Sequence, residues 1–125
     1  IGEAYAAKLE AAGVKTPEDL LAACASAKGR KEMAEQTEIS EKLILRWTNH
    51  ADLFRIKGVG PQFAELLEAA GVDTVKELSH RVPANLAAKM EEVNAEKKLV
   101  GRVPAVKEVQ KMVAEAKTMP AVMTY

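Results

Sequence analysis

Residues 59–78, VGPQFAELLEAAGVDTVKEL, lie over residues 1–20, IGEAYAAKLEAAGVKTPEDL, at a constant offset of 58. Ten of the 20 positions are identical, among them Gly2/Gly60, Leu9/Leu67, Gly13/Gly71, Val14/Val72, Thr16/Thr74 and Leu20/Leu78, and Tyr5 meets Phe63 conservatively. Such density in one register marks an internal duplication. Each copy opens with a helix, Glu3 to Ala12 or Pro61 to Ala70, with apolar residues at three- and four-residue spacing. Each helix then meets a glycine suited to the left-handed position just past a helix end. Thr16 and Thr74 read as N-caps, with Asp19 and Glu77 three residues on and Pro17 in the first helical position. Further along the register drifts to 56, where Lys42-Leu43-Ile44-Leu45-Arg46 lies over Lys98-Leu99-Val100-Gly101-Arg102.

Working outward, Ser40 is placed to cap a helix from Glu41 to about Phe54. Pro83 and Pro104 are placed to open helices reaching about Val93 and Lys117. Leu43, Ile44, Trp47, Ala51 and Phe54 form the apolar stripe of the first of these, which assigns Trp47 to core packing. No segment alternates with period two over a strand's length, so the expected fold is all-α, with eight or nine short helices. The expected organisation is a first repeat over residues 1–58, its leading hairpin truncated, and a second over residues 59–125, packed as one body. The apolar tail from Pro120 to Tyr125 is too short for an element of its own. It should lie extended over core residues.

Composition narrows the function. The chain has 125 residues, 48% of them apolar, enough for one core or two small fused repeats. Eighteen basic side chains balance 18 acidic ones, and residues 1–58 and 59–125 are each neutral, so neither half is a basic module. Cys24 is the sole cysteine, which removes an intramolecular disulfide or cysteine zinc cluster and suggests a reducing compartment, the cytoplasm. No apolar run approaches the roughly 20 residues of a bilayer span, and no segment reads as a signal peptide. The chain opens on Ile1 rather than an initiator Met, so residues are expected to precede it.

The stretch Ile56-Lys57-Gly58-Val59-Gly60-Pro61-Gln62-Phe63-Ala64 lies between two expected helices. Its order of apolar residue, any residue, glycine, apolar residue, glycine and, four residues later, alanine resembles the hairpin of the helix-hairpin-helix family. Two glycines there permit a sharp reversal and the close approach of another backbone. The resemblance implies that this neighbour is a nucleic-acid phosphate, held by amides of the turn and of the next helix's first turn, without reading sequence. It implies Gly58, Val59, Gly60 and Gln62 as the contact surface, with Arg55 and Lys57 as electrostatic support. Gly2 is the matching position of the first repeat. Over its whole length the chain is also similar to a bacterial family, domain of unknown function 4332, which brings no established activity.

Lys42, Arg46 and Asn49 share a helix face and add possible contacts, although any soluble amphipathic helix offers a similar face. Lys31 to Trp47 also resembles a helix-turn-helix in its spacing, with Glu38 where the turn usually has glycine. Glu3, Glu10 and Glu68 lie on the hairpin helices and would repel an anion, so a second reading stays open: a protein-interaction or assembly subunit whose hairpins are structural corners. Catalysis is not expected. His50 and His80 lie in different repeats, no Cys or His pair has metal-ligand spacing, and no nucleophile or nucleotide motif is present. No cofactor or metal is expected.

Overall fold

The structure, a computed structural model, describes residues 2–125. Among them are eight helices and no strand, which is the all-α class expected: α1 (Glu3–Ala11), α2 (Pro17–Cys24), α3 (Ala27–Thr37), α4 (Glu41–Leu53), α5 (Pro61–Ala69), α6 (Val75–Ser79), α7 (Pro83–Lys97) and α8 (Val106–Thr118).

The duplication extends to individual backbone bonds. Gly13 and Gly71 have φ of +92° and +95°. Their amides donate to Glu10 and Glu68, both at 3.0 Å, and the next amides, Val14 and Val72, reach back to Leu9 and Leu67, both at 2.8 Å. This pair of bonds satisfies carbonyls that a helix end would otherwise leave open, and valine and leucine close over it as an apolar contact. Thr16 then caps α2 with a full reciprocal box, its hydroxyl accepting from the Asp19 amide while Asp19 accepts from the Thr16 amide. In the second copy Thr74 accepts from the Glu77 amide at 3.2 Å, but the Glu77 carboxylate turns to Arg81, 2.8 Å away. Only half of that box forms.

Beyond α2 and α6 the copies correspond differently from the 56-residue register. Glu38, φ 58°, ends α3, and Lys98, φ 52°, ends α7, and a 13-residue helix follows each. Glu38, not Lys42, is therefore the counterpart of Lys98. Lys42–Arg46 is the first turn of α4, whereas Lys98–Arg102 is a loop. In that loop the Asn94 side chain holds both the N–H and the C=O of Val100 at 3.0 Å, and Gly101 and Pro104 favour extended chain over helix. Pro104 accordingly precedes the N-cap, Ala105, instead of opening α8. The helix begun at Pro83 continues past Val93 to Lys97, because Asn94-Ala95-Glu96-Lys97 contains no breaker.

The chain forms two compact units, one running to Asp52 and taking in Val122–Tyr125, the other Leu53–Ala121. In the first, α2 packs on α3 around Leu9, Val14, Leu20, Cys24, Met33, Ile39 and Ile44. In the second, α8 packs on α6 and α7, and α5 on α7, around Ile56, Leu66, Leu67, Val72, Leu78, Met90 and Val109. The sequence repeat turns over between residues 58 and 59, but packing changes hands at Asp52/Leu53, since Leu53, Ile56 and Val59 bury their side chains in the second core. The tail lies without helix, with Met123 buried.

One close approach lies where α2 gives way to α3. A Cβ on Gly29 would stand 2.1 Å from the Ala23 carbonyl oxygen, a backbone atom with no freedom to swing aside. Ser26, which caps α3 through the Gly29 amide, fixes that register. Gly29→Ala should therefore cost about 1–3 kcal/mol, the range for forced overpacking, measured by urea unfolding. Cys24 is buried and burial pushes its thiol pKa up, so it should resist a thiol reagent at pH 8 in the native chain and react faster in Gly29→Ala.

Candidate functional site

The segment after α4 makes a hairpin from four short steps. The Ile56 amide donates to Leu53 at 3.1 Å and the Val59 amide to Ile56 at 3.2 Å. Gly58 turns left-handed, φ +88°, between them. Ile56 and Val59 go inward, which forces Lys57 and Gly58 out to solvent. Gly60 follows in extended conformation, φ −104° and ψ −174°, as the N-cap of α5, and Pro61 takes the first helical position. Six of the expected site residues, Arg55, Lys57, Gly58, Val59, Gly60 and Gln62, thus lie in the segment from the end of α4 to the first turn of α5.

The two glycines serve different ends. Gly58 is demanded by its positive φ. Gly60 is not, and a Cβ built on it meets nothing within 4 Å. Gly2, its counterpart at the N-cap of α1, also has ordinary backbone, φ −73°, and open space around it. At both positions the N-cap is a glycine and no side chain caps the helix. The first-turn N–H groups, those of Gln62 and Phe63 in α5, have no intrahelical acceptor and carry the positive end of the helix dipole. Gln62 is exposed and Phe63 partly buried in the second core.

The electrostatics beside the turn are mixed. The Lys57 amide donates to the Glu115 carboxylate of α8 at 3.3 Å, so a negative group of the chain already stands at the turn. Arg55 is half-buried and donates to the Pro120 carbonyl at 2.7 Å, which employs it in fastening the segment after α8. Lys57 itself is exposed. Lys42 and Arg46 are exposed on α4 in the first unit, but Asn49, expected on their face, is buried and accepts from the Tyr125 hydroxyl at 3.2 Å. Glu38 takes the left-handed turn that the helix-turn-helix spacing calls for, at φ 58°. Among the described residues no three His, Cys, Asp or Glu gather to hold a metal ion, and no helix is long and apolar enough to cross a membrane.

Residues 1–119 match a family described as "Domain of unknown function (DUF4332)". The chain belongs to that family. No curated protein and no solved structure matches it.

Two residues of this DUF4332 protein escaped the sequence reading. Glu115 lies 58 residues from the amide it accepts from, and nothing local distinguishes it from Glu108, the other acid of its helix. Arg30 was legible in principle: it shares an i, i+3, i+7 stripe with Met33 and Thr37, and all three are buried.

The inequivalence of the hairpin glycines has a measurable consequence. Gly58→Ala should destabilise the DUF4332 fold by about 1 kcal/mol, from left-handed backbone strain partly offset by a less flexible unfolded chain. Gly60→Ala should cost less, a few tenths of a kcal/mol from the weaker N-cap. Paired urea titrations compare them, and equal losses would contradict this division of roles.

Proposed function

We propose that this protein is a non-enzymatic helix-hairpin-helix module that contacts nucleic-acid backbone without sequence preference, through the turn Lys57-Gly58-Val59-Gly60 and the first turn of α5. The observation that carries the reading is Gly60: neither its backbone angles nor its neighbours require glycine, and its missing side chain leaves uncapped amides open beside exposed Lys57. A phosphate oxygen is a natural acceptor for such amides. Gly2 would offer the same chemistry at α1. The free, buried thiol of Cys24 suits a reducing compartment such as the cytoplasm.

A second reading has its own support. Glu115 at the Lys57 amide and Arg55 on the Pro120 carbonyl spend the hairpin's polar capacity inside the chain, which suits an assembly subunit in which the hairpin is a structural corner.

Salt dependence separates the two. Lys57, with Arg55 if it is released, neutralises one or two phosphates, so log affinity for duplex DNA should fall with log salt at a slope of about −1 to −2. Lys57→Glu should weaken every duplex sequence alike. Fluorescence anisotropy with labelled duplex, single strand and RNA measures both effects. Absence of saturable binding below roughly 100 μM at about 50 mM salt, where generic non-specific binders register, would leave the assembly reading.

A further inference from the structure

The tail of this chain is bound as a peptide ligand is bound. Thr124 uses both backbone groups: its N–H donates to the Ala25 carbonyl at 2.8 Å, and its C=O accepts from Arg30 Nη2 at 2.7 Å. Arg30 is only 4% exposed, and its Nη1 donates to the Cys24 and Ala25 carbonyls at 3.0 Å each. One guanidinium therefore neutralises the carbonyl end of α2 and offers a spare donor to an incoming chain. The Tyr125 ring lies over that guanidinium, 5.3 Å from centroid to carbon, and its hydroxyl donates to Asn49 Oδ1. On the other side Met123 is 8% exposed. Thr124 itself is exposed.

Two features make this a site rather than a piece of core. Met123, though buried, is not among the residues of the first unit's apolar cluster, Leu9 through Ile44. Two of the Arg30 bonds, to the Cys24 and Ala25 carbonyls at the end of α2, do not involve Thr124, so the guanidinium has an anchor of its own besides the tail. The residues leading into the tail, Pro120 and Ala121, are exposed and belong to the other unit.

We propose that Ala25, Arg30 and Asn49 form a docking site for an extended peptide of the pattern apolar residue, any residue, tyrosine, and that the tail of a second copy of this chain is its ligand in trans. Backbone pairing at the central residue provides affinity without side-chain choice there, and the Met123 and Tyr125 positions provide selectivity. A chain's own tail competes at an effective concentration of about millimolar for a short tether, so exchange between intact copies sets in at comparable concentration. It preserves every docked contact and alters only the leading residues.

The test uses the whole 125-residue chain. Thr124→Pro removes the N–H that pairs with Ala25 and frees the site in an isotopically labelled acceptor. Adding unlabelled Arg30→Ala chain, whose own site is broken and whose tail is free, should shift the acceptor amides of Ala25, Arg30 and Asn49 saturably by about 1 mM, the effective-concentration scale above. Wild-type donor, its tail held in cis, should bind at least about tenfold more weakly. Should Arg30→Ala fail to fold, a synthetic peptide of residues 119–125 supplies the same tail. A donor tail carrying Tyr125→Ala should lose most of the shift. No shift from either donor, or equal shifts with Tyr125→Ala, would overturn the proposal.

Discussion

Five residues with positive φ, Gly13, Glu38, Gly58, Gly71 and Lys98, turn this chain between its helices, and the packing of both units depends on them. Short helices are marginal alone and survive by burying one face, which requires the chain to come back within a few residues. At Gly13 and Gly71 the left-handed residue and the one after it place their amides on the last carbonyls of the helix. At Gly13, Gly58 and Gly71 that conformation is free of Cβ strain. At Glu38 and Lys98 it costs about 1–2 kcal/mol each, and local side chains compensate: the Thr37 hydroxyl donates to Met33 and accepts from the Ile39 amide, and Asn94 clamps Val100.

The duplicated plan has diverged where charge and capping matter. The first copy closes a full capping box at Thr16, while the second diverts Glu77 to Arg81, which also donates to the Gly71 carbonyl at 2.6 Å. Helix α1 buries only Leu9, while its counterpart α5 buries Ala64, Leu66 and Leu67 beneath the incoming segment of Leu53, Ile56 and Val59. The same twenty-residue pattern thus occupies two environments. In one it is a well-covered element carrying an open turn, and in the other a largely exposed helix held by Leu9 and by the ring contact of Tyr5 with Trp47, 5.3 Å between centroids.

A turn of this kind presents amides, not side chains, and its chemistry is set by what stands next to it. The Glu115 carboxylate stands at the Lys57 amide, and the formal charge of each half is balanced. Any anion that docks there competes with a carboxylate belonging to the protein.

The sequence by itself determined the all-α class, the twenty-residue repeat, the glycines just past α1 and α5 and the threonine caps of α2 and α6, because these rest on bonds between residues three to five apart. Period and cap chemistry are local, and local rules read directly from residue order. It did not determine that Lys42–Arg46 would be helix while the similar Lys98–Arg102 would be loop, since Asn94 and Pro104 lie outside the matched segment. Nor did it reveal that Asn49 would turn inward to Tyr125, that Arg55 would hold Pro120, or that Arg30 would hold Thr124, residues 65 and 94 positions away in the last two cases. Those partners meet only when the helices pack, and a polar side chain takes whichever acceptor packing delivers, because leaving it buried and unbonded costs more than any local preference gains.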